Sequence, residues 1–208
     1  MPRLNLPPTK SNLLLLRRQL AVAEEGYDLL EQKRQILLLE LRQRLEPALA
    51  AEEQVRARCQ TARSHLCEAT LDNGSAALDR AALGTTDPYQ VTTTDQRVVG
   101  LRLPRVILRS IPRRHPGAPT SRWAATLATR GAFLELLPLL ASLAERSTAV
   151  FRLARELRRT QRRCNALSKI FIPDRREAAA RIATTLEERE RESLAVLKLI
   201  RDQSQRDR

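Results

Sequence analysis

The residue types that most often catalyse reactions or bind metals are scarce in this chain. It has two histidines, His65 and His115, and three cysteines, Cys59, Cys67 and Cys164. Cys59, His65 and Cys67 lie close in sequence, but on a helix their spacing presents no single face for tetrahedral ligation of one ion. The sequence therefore predicts no metal site, and we interpret Cys164 as a small core residue.

No motif for nucleotide binding or metal-dependent hydrolysis is present either. The sequence contains no GxxxxGK(S/T) loop, no GxGxxG and no HExxH. Three cysteines cannot all pair within one chain, and nothing in their spacing suggests a disulfide framework. We predict a non-catalytic protein that needs no cofactor.

The composition favours long helices over a globular core. Only 3% of the 208 residues are aromatic and six are glycine, while 29% are charged. Aromatic side chains supply much of the buried area of globular cores. The chain is instead rich in Leu, Ala, Arg, Glu and Gln, which lose little rotamer freedom in a helix.

The net charge of +13 has three explanations that the sequence leaves open. Clustered cations suit nucleic acid, whose phosphates attract them, and they suit an acidic protein surface equally well. The third explanation is a bias of the genome towards arginine codons. The lysines are only Lys10, Lys33, Lys169 and Lys198.

The sequence shows no signal for secretion or membrane insertion. Residues 1–9 contain three prolines and no apolar run, so we expect no secretory signal. No stretch approaches the roughly 20 apolar residues that span a bilayer. We therefore predict a cytoplasmic protein that is associated with a membrane only through partners.

The first segment, residues 1–75, is predicted to form one coiled-coil helix. Thr9 or Ser11 can cap it, and Asn73-Gly74-Ser75 has the chemistry of a helix end. Between them, apolar residues recur at heptad spacing, which is typical of a helix with a single partner helix. This seam consists of Leu13, Leu16, Leu20, Ala23, Tyr27, Leu30, Leu37 and Leu41, and only Arg34 interrupts it.

Two residues inside this helix need an explanation. Pro47 removes a backbone hydrogen bond, so we expect a kink with a shift of the heptad frame at Leu45, the alternative being a break at Glu46. Gly26 costs about 1 kcal/mol relative to alanine in mid-helix. We attribute it to close approach, either by the partner helix or by a surrounding protein.

The third segment, residues 131–208, repeats the heptad pattern. Its seam residues are Leu143, Val150, Leu153, Leu157, Cys164, Leu167, Phe171 and Ala178, followed after a frame shift at Pro173 by Ile182, Leu186, Val196 and Ile200. Two such helices with an unlike segment between them indicate a mainly α fold. We predict a long antiparallel two-helix coiled coil with a small central head that contains a short β-hairpin.

The central segment, residues 76–130, is the predicted head. Residues Arg97–Leu103 alternate partly like a strand, and Val106–Leu108 is a second β-branched run. Residues 97–122 hold seven arginines and no acid. We expect Ile111–Ser121 to form a mobile basic arm.

A second basic feature lies in the third segment. Its arginines form a collar around the helix outside the seam and would suit contact with an acidic protein or with nucleic acid. The collar consists of Arg155, Arg158, Arg159, Arg162 and Arg163, with Arg152 preceding it.

Both ends of the chain resemble the D-subunit family of V-type and A-type ATPases. The N-terminal signature is carried by Pro8, Thr9, Leu13, Leu16, Leu20, Ala23, Gly26, Leu29, Leu30, Lys33 and Arg34. The C-terminal signature is carried by Arg158, Arg159, Thr160, Arg162, Arg163, Asn165, Ala166, Leu167, Ile172 and Pro173. Between them, Gly100 and Pro104 resemble the Gly-x-x-x-Pro hairpin of that family.

The resemblance implies a central rotor stalk that couples ATP turnover to proton or sodium translocation. Its tip would face a hexamer of A and B subunits through Pro8, Thr9, Leu13, Leu16, Gly26, Lys33, Arg34 and Ile200. The head would bind the F subunit, or dock on a funnel-like subunit that leads to the membrane ring, through Val98, Gly100, Leu103, Pro104 and Val106. The alternatives are a basic coiled-coil nucleic-acid-binding protein and the stalk of a flagellar or type III export ATPase.

Overall fold

A computed structural model describes residues 6–83, 89–110 and 124–206, and the predicted basic arm lies outside them. The mainly α fold with long N- and C-terminal helices and a central antiparallel hairpin is confirmed. The elements are α1 (Lys10–Asn73), α2 (Ser75–Leu83), β1 (Tyr89–Val98), β2 (Leu101–Ser110), α3 (Ala124–Ala166), a π-helical segment (Leu167–Phe171) and α4 (Ile172–Arg206).

Helix α1 runs through Pro47 without a break, so the alternative of two consecutive helices is wrong. The expected frame shift at Leu45 is also wrong, because Leu45 is 44% exposed. The buried residues Ala48, Ala62 and Ala69 fall at multiples of seven from one another. One seam therefore continues past Pro47, and the missing N–H does not disturb which face of the helix is buried.

Gly74 ends α1, as the sequence predicts. Its φ of +79° lies in the left-handed region that suits glycine at a helix end, and its N–H donates to the Thr70 carbonyl at 3.0 Å. The next residues form α2, although we expected residues from Ala76 onward to break the helical pattern. The sequence of α2 is rich in Ala and Leu, which are good helix formers. The prolines and glycines of the central segment begin only after α2.

The predicted frame shift near Pro173 has a structural cause. Residues Leu167–Phe171 form a π-helical turn, in which the Ile172 N–H donates to the Leu167 carbonyl five residues earlier. A proline ring clashes with the carbonyl four residues before it, and the wider turn relieves that clash. Ala178 lies two heptads after Cys164 and keeps the earlier frame, and Ile182, the first residue of the predicted shifted frame, is buried as well.

The chain divides into two compact units. The terminal unit consists of Met1–Gln35 and Arg158–Arg208, and the central unit consists of Ile36–Leu157. In the central unit, residues later in α1 contact residues earlier in α3, so the two helices are antiparallel. They join Pro47 to Arg146, Arg58 to Glu135, His65 to Thr129 and Asn73 to Thr126.

The two strands pair antiparallel across a two-residue turn, Val99-Gly100, with Val98 opposite Leu101. Both turn residues have positive φ, 51° for Val99 and 76° for Gly100, which is the pattern of a type I′ hairpin turn. The predicted hairpin is thus present. The turn divides the partly alternating run Arg97–Leu103 between the two strands, and the second run, Val106–Leu108, belongs to β2.

The hairpin packs on the two long helices of the central unit. Leu103 of β2 is 2% exposed and lies in one apolar cluster with Leu37, Ala149 and Leu153. Val99 packs against the same cluster. A β-branched residue at positive φ costs roughly 1–3 kcal/mol, and this apolar contact offsets that cost.

One helical stretch, Ala124–Gln203, is long and apolar enough by composition to cross a membrane, with a mean hydropathy of 1.4 over its best window. Our expectation that no stretch approaches this composition is therefore wrong. One such helix is weak evidence for a span. Arg130 and Glu135 lie in its leucine-rich first part, and each charge at a bilayer centre costs about 2.5–3.5 kcal/mol.

Replacing Leu153 by alanine should lower the free energy of unfolding by about 2–5 kcal/mol, because the side chain is fully buried and its removal leaves a cavity. Urea denaturation followed by circular dichroism measures the change. Leu71→Ala is the control, since Leu71 is 87% exposed and surface substitutions usually stay within about 0.5 kcal/mol. Equal destabilisation by both variants would contradict the described core.

Candidate functional site

The start of α1 is capped and packed in the terminal unit. The Thr9 hydroxyl accepts the Asn12 N–H at 3.3 Å, so the predicted cap is confirmed. Leu16, at 1% exposure, is buried against Ala178 and Ile182. Leu13 packs on the same cluster, and Pro8 contributes its carbonyl oxygen to the Arg189 guanidinium at 3.4 Å.

Two ion pairs join α1 to α4 in the terminal unit. Lys10 lies 2.7 Å from Glu190, and Glu24 lies 2.7 Å from Arg176, an order that makes this pair antiparallel as well. The hydrogen bond from Lys10 lowers the pKa of the Glu190 carboxyl, and the same contact raises the pKa of Lys10. Both groups are therefore charged at neutral pH.

The C-terminal part of α4 extends beyond its partner helix. Because α1 begins at Lys10, opposite Glu190, none of its residues faces the part of α4 that continues to Arg206. The predicted seam role of Val196 and Ile200 is therefore wrong. Five exposed apolar residues define what we call the overhang: Leu194, Val196, Leu197, Leu199 and Ile200, each 54–64% exposed.

A second apolar feature lies on the outer face of α1. Leu15, Val22 and Leu29 recur every seven residues and are 49%, 69% and 66% exposed. We call them the outer stripe. Their heptad spacing beside the seam is the signal in the sequence from which the outer stripe could be predicted.

Gly26 is not explained by close approach of the partner helix. A Cβ atom built on Gly26 would have no atom within 4 Å. Of the two explanations that the sequence left open, the structure contradicts the first. Contact with a surrounding protein stays a prediction.

Arg34 forms a polar layer within the seam of the terminal unit. Its guanidinium binds both carboxylate oxygens of Glu31, one of them at 2.8 Å. This bond lowers the pKa of the Glu31 carboxyl and raises the pKa of Arg34.

Cys164 is 2% exposed, and its burial raises the pKa of its thiol. The interpretation of Cys164 as a core residue is confirmed. Lys33, beside this layer, is half-buried.

The basic collar is exposed, as expected from its position outside the seam. Thr160 and Cys164 turn inward at 2% exposure each. The collar arginines of the terminal unit are Arg158, Arg159, Arg162 and Arg163, and Arg155 is equally exposed in the central unit. None of these five forms an ion pair with another residue that the structure describes, so their charge is available to a partner.

The predicted docking residues of the head differ in accessibility. Leu103 is a core residue of the central unit, so its side chain is not part of a free surface. Gly100 is exposed at the turn, while Val98, Pro104 and Val106 are half-buried. The Val106 N–H donates to the Glu145 carboxylate at 2.8 Å, a contact that sequence reasoning did not anticipate.

Within residues 6–83, 89–110 and 124–206, no group of three or more His, Cys, Asp or Glu side chains could hold a metal ion. The candidate functional site therefore consists of exposed surfaces. The terminal unit presents the overhang, the outer stripe and most of the collar, and the central unit presents the hairpin. These features define a mainly α protein built on antiparallel helix pairs, with apolar and basic surfaces on its outside.

Comparison with known proteins identifies the family. Residues 12–202 match the family of ATP synthase D subunits. The chain is 40% identical over 196 residues to the V-type ATP synthase D subunit numbered 2 in Treponema pallidum, an alignment that covers 94% of each chain. It is 33% identical over 199 residues to the V-type ATP synthase D subunit of Thermotoga neapolitana, covering 96% of this chain and 98% of that one.

An archaeal relative matches over a similar length. The chain is 30% identical over 205 residues to the A-type ATP synthase D subunit of Pyrococcus furiosus, covering 95% of this chain and 94% of the relative. The chain therefore belongs to the D-subunit family of V/A-type ATP synthases. The resemblance stated from the end motifs is confirmed.

The three thiols should react with Ellman's reagent at pH 8 in an order set by their burial. Exposed Cys67 should react first and half-buried Cys59 more slowly, while Cys164 should react only after unfolding, because it is buried and its thiol pKa is raised. Absorbance at saturation and mass spectrometry of labelled peptides measure this. In Cys164→Ser, the thiol that needs denaturant should be missing. Rapid labelling of Cys164 in the folded protein would contradict the described seam.

Proposed function

We propose that this chain is the central rotor shaft of a V/A-type rotary ATPase. In this role it couples ATP hydrolysis or synthesis in a catalytic hexamer of A and B subunits to proton or sodium translocation through a membrane ring. The shaft is not itself catalytic. It lies in the cytoplasm and is held at the membrane only through the complex, with no direct binding of nucleic acid.

The overhang is the observation that carries this proposal. A single helix with five apolar residues more than half exposed is costly in water, at about 25 cal/mol for each Å² of apolar surface left uncovered. Exposed apolar groups of this kind mark contact sites with other proteins. The catalytic hexamer is the partner that would cover the overhang, and it would receive the tip residues Pro8, Thr9 and Leu13 beside it, whereas buried Leu16 shapes the tip from within the seam.

The outer surface of the terminal unit is suited to a shaft that contacts several partner subunits in turn. This surface is not uniformly polar, because the outer stripe exposes Leu15, Val22 and Leu29. An asymmetric surface, apolar on one side and basic at the collar, would contact successive A and B subunits unequally. Such differential contacts bias the state of each catalytic site without any chemistry in the shaft.

The central unit is the proposed docking end. Its hairpin is held on the helix pair by the cluster around Leu153, which gives the exposed hairpin residues a fixed orientation. We assign this end to the F subunit and to the funnel-like subunit that leads to the membrane ring. Val98, Gly100, Pro104 and Val106 are the candidate contacts.

Co-expression of this chain with A, B and F subunits tests the proposal. A tag on the chain should retain the hexamer and the F subunit at low salt. Leu197→Ser with Ile200→Ser should lower retention of the hexamer by about thirtyfold or more, because two apolar contacts are removed and each is worth roughly 1 kcal/mol or more. The isolated variant should keep its stability, since both residues are exposed in the free chain.

Leu71→Ser is the matched control, because Leu71 is exposed on the central unit and lies outside the overhang. It should retain the hexamer like the unmodified chain. Purification of the unmodified chain with neither the hexamer nor the F subunit would refute the proposed function. Specific, salt-sensitive capture of DNA or RNA instead would favour the nucleic-acid alternative.

Reversal of the collar charge should also weaken assembly. The triple variant Arg158→Glu, Arg159→Glu, Arg162→Glu should reduce retention of the hexamer or of the F subunit, and added salt should weaken the unmodified complex through the same interaction. The control reverses Arg42, Arg63 and Arg80, which are exposed and change the net charge equally. Equal retention of the collar variant and the unmodified chain would show that the collar contacts no partner.

A further inference from the structure

The hairpin has two outer edges, and among the described residues only the edge of β2 is hydrogen-bonded to another element. The sheet contains two strands, so each strand has an edge that its partner does not use. On an antiparallel strand, the N–H and C=O of alternate residues point towards the partner, and those of the residues between them point outward. The register and the side-chain contacts of β2 show which residues point in each direction.

The outer edge of β2 is bound by α3. Glu145 accepts the Val106 N–H at 2.8 Å, and the Arg152 guanidinium donates to the Arg102 carbonyl. Arg102 and Val106 therefore direct their backbone groups outward. They pair in register with Arg97 and Thr93 of β1.

This register fixes the outward residues of β1. Residues opposite outward residues of β2 are themselves outward, so the backbone groups of β1 that point away from the hairpin belong to Tyr89, Val91, Thr93, Asp95 and Arg97. The position of the Thr94 hydroxyl, 3.5 Å from the Arg105 carbonyl, agrees with an inward Thr94. Among the residues that the structure describes, none bonds to this outer edge of β1.

The side chains of β1 do not protect the open edge. Gln90 to Arg97 are all exposed, and Val91 is 63% exposed. Natural sheets guard free edges with proline, lysine or bulges, and β1 has no proline and no lysine and pairs with β2 in continuous register. Its threonine run, Thr92–Thr94, is β-branched and suited to further strand pairing.

The charge of the hairpin selects the kind of strand that fits. Within residues 89–110 the hairpin carries Arg97, Arg102, Arg105 and Arg109 and a single acid, Asp95. All four arginines are exposed. A second copy of this chain would bring the same excess of positive charge to the edge, which disfavours pairing of two hairpins.

We propose that the outer edge of β1 binds an extended acidic segment of another subunit by strand addition. The partner's backbone would pair with Val91, Thr93 and Asp95, and its Asp or Glu side chains would lie near the hairpin arginines. This inference rests on the proposed function. Because a shaft cannot keep a backbone ladder with a part that it turns past, the segment belongs to a subunit that rotates with it.

Hydrogen–deuterium exchange at single-residue resolution tests the inference on the complex assembled from co-expressed A, B, F and funnel-like subunits. The outward amides of Val91, Thr93 and Asp95 should exchange at least about tenfold more slowly in the complex than in the isolated chain. The inward amides of Thr92 and Thr94 are already bonded to β2, so their exchange should change much less.

Thr93→Pro and Thr93→Ala form the matched pair of variants. Proline removes one outward N–H and is tolerated on an edge strand, whereas alanine removes the side chain and keeps the N–H. Thr93→Pro should lower retention of one subunit by about fivefold or more, equivalent to the loss of roughly one backbone hydrogen bond. Thr93→Ala should retain that subunit.

Each other outcome is decisive. Assembly of the complex with unchanged exchange at Val91, Thr93 and Asp95 overturns strand addition and leaves the proposed function intact. Equal loss of the subunit from both Thr93 variants would mean that the Thr93 side chain makes the contact, and this result would also overturn strand addition. Protection that appears in the isolated chain with a doubled mass assigns the edge to a second copy, against the proposal. A chain that recruits no subunit removes the proposed function and this inference together.

Discussion

The narrow seam between paired antiparallel helices is the constraint on which the rest of the structure depends. Among the described residues, half of the buried apolar side chains are alanines, at positions 23, 48, 51, 62, 69, 149 and 178. Alanine buries little area, so each layer of the seam contributes little, and a long helix in water is stable only where it has a partner along its length. The small seam residues let two helices run together over many turns.

A seam this narrow leaves much apolar surface on the outside, and its distribution differs between the two units. In the terminal unit, Leu16 and Ile182 close the seam, while none of the described residues covers the overhang. In the central unit, Leu37 and Leu153 find an additional partner in Leu103, so the hairpin acts as a third layer. Uncovered apolar surface in one unit and an ordered hairpin in the other are consistent with a subunit completed by other chains.

Polar contacts set the pairing of the helices more than they stabilise it. The exposed ion pairs Lys10–Glu190 and Glu24–Arg176 are of a kind worth little in water, yet they distinguish one alignment of α1 and α4 from its neighbours. The partly buried Arg34–Glu31 pair has the same effect within the seam, because a polar group at a heptad position is tolerated in few registers. After the π-helical turn before Pro173, Ala178 and Ile182 are again buried in the seam.

Local pattern alone determined the long helices, the seam before Pro47, the Thr9 cap, the helix end at Gly74 and the family resemblance, because heptad spacing and capping depend on neighbouring residues. It did not reveal the short helix α2. Tertiary structure decided what local pattern could not. Val99 adopts a left-handed turn because its side chain meets the cluster around Leu153. Val196 and Ile200 have seam spacing but stay exposed in the described part of the chain, because α1 begins opposite Glu190. Periodicity shows which residues share a face of a helix, and only the fold shows whether another element covers that face.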